Sequence, residues 1–290
     1  MLQFENRYVI IIMYNFKELK NLEILRSILL GVVEGITEWL PISSTGHMIL
    51  VNEFLHNDGF TNSDLYLYVI QLGAILAVVT MFFGKLWPFS LKKTKEENLD
   101  TWQMWFKIAV ASIPAGIIGV FLNDYMDSIE NGVIVATMLI IYGIAFILIE
   151  RKKKPVKIDS IKDISYKTAL LIGLFQAVSV IPGTSRSGAT ILGAMILGCS
   201  RTVSAEFCFF LSIPIMFGIS AIKILTFDGV LTGSNIAVLI TGMAVAYAVS
   251  MLSIKFLMGF VKKHSFTGFG WYRIGLGIIV LLCFAAGVIG

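Results

Sequence analysis

Long apolar runs alternate with short polar segments along this 290-residue chain. Stretches free of Asp, Glu, Lys and Arg occupy 66–84, 108–122, 132–149, 207–222, 229–254 and 274–290. A helix needs about 20 mostly apolar residues to cross a bilayer, with a range of about 17–25. Four of the runs meet that outright. The runs 108–122 and 207–222 fall slightly short, but flanking charged side chains can snorkel to the interface. The pattern therefore predicts six spanning helices. A further apolar stretch, Tyr8–Tyr14, is too short to span, and no small-residue cleavage site follows it. Met13 offers an alternative start, which would place residues 1–12 outside the native chain.

Two other apolar segments are interrupted, and they resemble each other. The first reads Gly31-Val-Val-Glu34-Gly-Ile-Thr-Glu38-Trp-Leu-Pro41-Ile-Ser43-Ser44-Thr45-Gly46-His47. The second reads Gly173-Leu-Phe-Gln176-Ala-Val-Ser179-Val-Ile-Pro182-Gly-Thr184-Ser185-Arg186-Ser187-Gly188-Ala-Thr190. A shift of 142 positions aligns Gly31 with Gly173, Glu34 with Gln176, Ser43 with Ser185 and Gly46 with Gly188, without a gap. Each is an apolar entry, then Pro, then a Ser/Thr/Gly turn carrying an ionisable group. Ionisable groups inside a membrane are costly and default to functional hypotheses. Two copies of one broken-helix motif point to a single site at a repeat interface.

Composition fits this picture. Hydrophobic residues make up 57% of the chain and charged ones 14%, against about 25% charged in soluble domains. The three cysteines, Cys199, Cys208 and Cys283, lie in or beside apolar runs without metal-ligand spacing. They read as small buried hydrophobes. The net charge of +4 sits in loop clusters. In a membrane protein it speaks to orientation, and no nucleic-acid partner is expected.

The loops 85–107, 150–167 and 255–273 are rich in Lys and Arg, whereas 51–65, 123–131 and 227–235 contain none. The positive-inside rule puts the first set in the cytoplasm and the second outside. Between the inside loop 150–167 and the outside loop 227–235 lie only the second motif and the 207–222 helix. The helix crosses once, so the motif must cross an even number of times, as a re-entrant hairpin broken at Pro182–Gly188. Irregular backbone at that depth persists only when buried in protein or lining a wet cavity. If the first motif has the same form, each half holds one hairpin and three spanning helices. Because three is odd, the halves run in opposite senses. The expected fold is an all-α integral membrane protein with six transmembrane helices and two re-entrant hairpins in an inverted-topology repeat. It forms a single polytopic domain over 1–290, with repeat one at 22–150, repeat two at 168–290 and a basic cytoplasmic linker at 151–167. One observation resists: Arg7, Lys17, Lys20 and Arg26 make the N-terminal arm basic, yet this scheme puts it outside. A true crossing by 24–50 would remove the conflict and break the symmetry.

The candidate chemistry is concentrated in the motifs. Glu34 and Glu38 are spaced i, i+4 and so share a helix face one turn apart. Two carboxylates in apolar surroundings repel unless a cation lies between them, and oxygen ligands suit Mg²⁺ or Ca²⁺. The alternative is an interfacial pair on a solvated face. Ser43, Ser44, Thr45 and Gly46 follow Pro41 as a turn and helix cap. His47 lies three residues past Ser44, where hydroxyl and imidazole can meet as nucleophile and base; a satisfied core histidine is the plainer reading. Arg186 lies between the charge-free runs 168–185 and 187–200. It is either the partner of a buried carboxylate or a planar phosphate clamp. The surrounding Ser185, Ser187 and Gly188 add donors at a helix start, a natural anion site. Glu206 is a candidate partner for Arg186 or Arg201. Lys223 and Asp228 read as helix-end charges, and His56 and His264 as loop residues.

With those residues in view, the chain resembles the undecaprenyl-diphosphate phosphatase family, the bacterial bacitracin-resistance proteins. The resemblance rests on Glu34–His47 and Pro182–Thr190, supported by Ser204-Ala-Glu206-Phe and Ser212-Ile-Pro214, and runs from about Leu22 to the C-terminus. It implies hydrolysis of a C55 polyprenyl diphosphate lipid to the monophosphate carrier used in cell-wall synthesis, and with it bacitracin resistance. It implies a multi-pass enzyme of the bacterial inner or plasma membrane, with its site open to the outer face and dependent on a divalent cation. Carried over, Glu34 and Glu38 match the family's acidic pair, Ser44 and His47 its hydroxyl and imidazole, and Arg186 and Thr190 its phosphate-binding half. Ser43, Thr45, Ser185, Ser187 and Gly188 join them as substrate-binding candidates. The nucleophile stays open among Ser44, His47 and water. The same inverted-repeat design also serves transporters, so a lipid-phosphate flippase or anion transporter is the competing reading. A homo-oligomer is compatible with the sequence.

Overall fold

The computed structural model describes residues 21–55, 59–152 and 155–289. The alternative start at Met13, the basic residues Arg7, Lys17 and Lys20, His56, and Lys153 and Lys154 lie outside the described residues. Everything described is helix, turn or loop, apart from one isolated bridge between Ile158 and Cys199. Helix α1 covers residues 21–37. Then follow α2 (Ser44–Phe54), α3 (Asp64–Met81), the short α4 (Phe83–Leu86), α5 (Lys95–Ser128) and α6 (Gly132–Arg151). The second half holds α7 (Tyr166–Ala177), α8 (Arg186–Ile196), α9 (Arg201–Leu225), α10 (Gly233–Val261) and α11 (Thr267–Ala285).

Six of these, α3, α5, α6, α9, α10 and α11, are long and apolar enough to span a membrane. The two runs that looked short sit inside α5 and α9, whose helices continue into polar ends. Helix α11 begins seven residues before its charge-free run, because Thr267–Arg273 is already helical. That corrects the charge count for the loop 255–273: Arg273 is a fully buried helix residue, not a loop cation.

The core forms where α3, α9 and α10 pack together, with α5 and α8 against α9, α7 against α5 and α8, and α6 against α11. Without a hydrophobic drive between helices in lipid, such contacts depend on small residues that let backbones approach. The α6–α11 crossing shows it. A Cβ on Gly143 would stand 2.7 Å from the Gly270 carbonyl oxygen, and one on Gly270 would stand 2.7 Å from that of Gly143. Ion pairs join α9 to the α3 region at both ends: Lys223 Nζ to Asp64 at 2.7 Å, and Lys85 Nζ of α4 to Glu206 at 2.5 Å. Glu206 therefore pairs with neither expected arginine. Arg201 is taken by Glu150, through bonds of 2.8 and 2.5 Å, and Arg186 reaches a different carboxylate. His264 stacks on Phe260.

Candidate active site

Both motifs interrupt a helix in the same way. In the first, α1 ends at residue 37, a turn follows, and α2 starts at Ser44. In the second, α7 ends at Ala177, a 3-10 turn covers Val178–Val180, and α8 starts at Arg186. Arg186, Ser187 and Gly188 thus belong to the first turn of α8, so the break is narrower than Pro182–Gly188. The capping residues are Ser43 and Ser185, the positions paired by the 142-residue shift. Their φ values are 75° and 70°, and they are the two non-glycine residues with positive φ among those described. Each Oγ accepts a hydrogen bond from the glycine N–H three residues on, Gly46 at 3.3 Å and Gly188 at 3.1 Å. A left-handed backbone at a residue with a Cβ is strained and persists where the surroundings over-determine it, commonly at functional sites.

The breaks bring together residues far apart in sequence. Glu38 is the hub. Its Oε2 accepts from Ser44 Oγ at 2.8 Å, and its Oε1 accepts from Arg186 Nη2 at 2.5 Å, across 148 positions. The Arg186 guanidinium lies 5.9 Å from the ring centre of the buried Trp39, which packs edge-on against Phe209 of α9. Arg186 Nη1 is buried without a hydrogen-bond partner. Ser187 Oγ donates to the Leu40 carbonyl at 3.3 Å, a second tie between the breaks. Thr190 Oγ1 donates to the Arg186 carbonyl at 2.8 Å, which places it behind Arg186.

Glu34 lies one helical turn before Glu38, as the Glu38 N–H to Glu34 carbonyl bond of 3.0 Å shows. It is buried, and its Oε1 has no partner. Glu34, Ser44 and Thr45 line a cavity of about 910 Å³ that Ser179, Val180 and Pro182 close from the second motif. Glu53, Asp64 and Glu130 extend its acidic wall, and no Lys or Arg among the described residues lines it. Among the described residues no three or more His, Cys, Asp or Glu side chains converge as a metal cluster. An orphaned carboxylate oxygen in an acidic cavity fits a divalent cation completed by substrate oxygens, the habit of Mg²⁺.

His47 does not meet Ser44. Its Nδ1 lies 2.7 Å from the Ser43 carbonyl, and its Nε2 lies 2.7 Å from Tyr272 Oη. A carbonyl only accepts, so Nδ1 carries the proton and Nε2 accepts from the Tyr272 hydroxyl. The two rings stack with centroids 5.6 Å apart. Tyr272 had no role in the sequence, and Arg273 counted there only as a loop cation. Arg273 donates to the carbonyls of Pro41, Gly183, Thr184 and Leu139. The available signal was an Arg at the margin of the charge-free run 274–290. The cysteines behave as small hydrophobes: burial pushes the Cys199 thiol up to about 11, so it stays protonated and unreactive at neutral pH.

Residues 27–279 match the model of the family described as bacitracin resistance protein BacA. A relative from Enterococcus faecalis, named undecaprenyl-diphosphatase, is 54% identical over 267 residues, covering 90% of this chain and 97% of the relative. One of the same name from Desulfitobacterium hafniense is 55% identical over 269 residues, covering 91% and 97%. A third, from Acetivibrio thermocellus, is 50% identical over 271 residues, covering 91% and 99%.

Proposed function

The chain belongs to the bacitracin resistance protein BacA family, and on that premise we propose how it works as an undecaprenyl-diphosphate phosphatase. It is a multi-pass membrane enzyme that releases inorganic phosphate from undecaprenyl diphosphate and returns undecaprenyl phosphate. One observation carries the mechanism: Glu38 holds the Ser44 hydroxyl on one oxygen and the Arg186 guanidinium on the other.

The diphosphate enters the acidic cavity with its polyprenyl tail left in lipid. Arg186 turns its fork, including the partnerless Nη1, to the terminal phosphoryl oxygens, where planar bidentate contact suits a phosphate. Ser44 Oγ then attacks the terminal phosphorus as Glu38 takes its proton. A P–O bond to serine forms, the bridging P–O bond breaks, and undecaprenyl phosphate leaves. Water next attacks the phosphoserine, loses its proton to the site carboxylates, and inorganic phosphate departs as Ser44 regains its hydrogen. Glu34, joined by Glu38 once Arg186 has turned from it to the phosphate, would hold a divalent cation, Mg²⁺ or Ca²⁺, which when bound supplies charge neutralisation and Lewis acidity to the diphosphate. Ser43, Ser185, Ser187 and Gly188 shape the breaks, whereas Thr45 flanks the substrate. His47, whose Nε2 is engaged by Tyr272, orients the first break rather than attacking phosphorus. Phosphoryl transfer is mainly positioning and electrostatics, and this is what two rigidly capped breaks offer.

The two breaks belong to re-entrant hairpins of an inverted repeat, 22–150 and 168–290, joined by the basic linker 151–167. The shared positive-φ serine caps support that reading. The cavity opens to the outer face, because Asn52, Glu53, Asn62, Asp64 and Glu130 line it from the loops that lack Lys and Arg. The decisive experiment measures phosphate release from prenyl diphosphate by detergent-purified protein. A carrier or flippase alone releases none. Wild-type release with Ser44→Ala inactive is the expected result, and a fully active Ser44→Ala would assign the attack to water.

A further inference from the structure

Arg273 is the third-party residue at the point where the two breaks meet. It sits in α11, is fully buried, and lies next in sequence to the tyrosine that holds His47. No ion pair to Arg273 is found among the described residues. Its partners are carbonyl oxygens from three separate segments. Nη1 donates to Pro41 at 3.2 Å in the first break. Nη2 donates to Gly183 at 3.0 Å and Thr184 at 2.9 Å in the second. Nε donates to Leu139 of α6 at 3.4 Å, and the guanidinium lies 5.5 Å from the Tyr142 ring centre. It also packs against the start of α8, because a Cβ built on Gly188 would stand 3.1 Å from its Nη1.

The Pro41, Gly183 and Thr184 carbonyls lie in the turns of the breaks, outside the helical hydrogen-bond ladders, whereas Leu139 is inside α6. Buried, each demands a donor. A planar guanidinium with donors on three nitrogens can serve several at once, which a lysine ammonium cannot match in geometry. We propose that Arg273 is a positioning residue that fixes the two breaks in register, so that Ser44 and Glu38 on one face Arg186 on the other. The inference rests on the site reading given above. It assigns the second break to holding the diphosphate and the first to attacking it, with α11 setting the distance between them.

The consequence is kinetic. Ground-state binding draws on contacts spread over the cavity and tolerates a small shift between the breaks, whereas the transition state needs them in register. Loosened register should therefore lower kcat far more than it raises KM. A displacement of about 1 Å at a reacting centre lowers the rate by about 100-fold. The test uses the full chain purified in detergent, with Arg273→Lys and Arg273→Met compared with wild type. We measure kcat and KM for a prenyl diphosphate per folded enzyme, and amide hydrogen exchange of peptides over 41–47 and 182–188, with α10 as an internal control. Expected for Arg273→Lys is a fall in kcat of at least ~30-fold with KM within about threefold. Faster exchange should appear in both break peptides together and not in α10. A residue needed only for folding would reduce the folded yield and leave kcat per folded enzyme unchanged. The proposal is overturned by wild-type kcat in a folded variant, by loosening of one break only, or by exchange that rises throughout the protein. A variant that fails to fold even as Lys counts with this last outcome, since it makes Arg273 a fold-wide strut. Arg186→Ala is assayed in parallel. Near-wild-type turnover there would overturn the site reading itself, while the exchange data would still decide whether Arg273 couples the breaks.

Discussion

Replacing Glu38 by Gln removes a charge and a proton acceptor while keeping the size of the side chain. In the structure both oxygens are in use: one takes the Ser44 hydroxyl at 2.8 Å, the other the Arg186 guanidinium at 2.5 Å. The amide can still accept one of these bonds through its carbonyl, but its NH2 cannot take a proton from serine. General-base catalysis contributes about 10²–10⁴ in rate, which is about 2.7–5.4 kcal/mol of barrier at about 1.36 kcal/mol per decade. Glu38→Gln should therefore lower kcat by at least ~100-fold. It should also destabilise the fold. Arg186 is largely buried, with its side chain 14% exposed and that of Glu38 8% exposed, and breaking a buried pair from one side costs about 3–5 kcal/mol. Much of that is recovered if the Arg186 guanidinium finds other partners, so the thermal midpoint tests the second claim separately. The assay is phosphate release per folded enzyme, with Glu38→Asp as a companion that keeps the charge but withdraws it from Ser44. A Glu38→Gln enzyme keeping more than about one-tenth of wild-type kcat would refute the argument. Ser44 would then need another acceptor, and the imidazole of His47 is already committed to Ser43 and Tyr272.

Arg186→Ala should abolish measurable phosphate release, and Arg186→Lys should keep little of it, because a point charge does not replace a bidentate clamp; turnover near wild type in the Lys variant would leave Arg186 as a structural partner of Glu38. Activity should stop on exhaustive chelation and return with Mg²⁺ or Ca²⁺, and Glu34→Gln should shift the cation dependence to higher concentration; full activity in chelated enzyme would show that the carboxylates work without a metal. Tyr272→Phe removes one neutral hydrogen bond to His47, worth about 0.5–1.5 kcal/mol, so kcat should fall by no more than about tenfold; a much larger loss would place His47 in the chemistry. Single cysteines at Thr45 and Ser179, in a chain lacking Cys199, Cys208 and Cys283, should label with membrane-impermeant thiol reagents from the outer face, and protection of both would contradict an outward-opening cavity.

Much of this protein was legible in its sequence because the bilayer imposes simple rules. Absence of charge over about 17–25 residues marks a span, and the six runs recovered six helices, even where α5 and α9 extend well beyond the runs that announced them. The paired motifs were equally legible, since a Pro followed by Ser, Thr and Gly ends one helix and caps the next. The structure gives Ser43 and Ser185 the same cap and the same positive φ. Side-chain partners were less legible. Spacing of three residues suggested that Ser44 meets His47, but the His47 ring bonds the Ser43 carbonyl one turn back and Tyr272 of α11. Glu206 had two plausible arginines in sequence, and its partner proved to be Lys85, brought to it by the antiparallel packing of α3 on α9.

The sequence by itself determined which stretches are long and apolar enough to span a membrane and where two helices are interrupted, because hydropathy, proline and capping act locally. Only the tertiary structure decided that Glu38 sits between Ser44 and Arg186, that Glu34 keeps one oxygen without a partner, and that Arg273 joins both turns from α11. Those contacts span as many as 232 positions. They exist because each broken helix leaves buried backbone and side-chain groups that must find partners, and no local pattern says which distant helix will supply them.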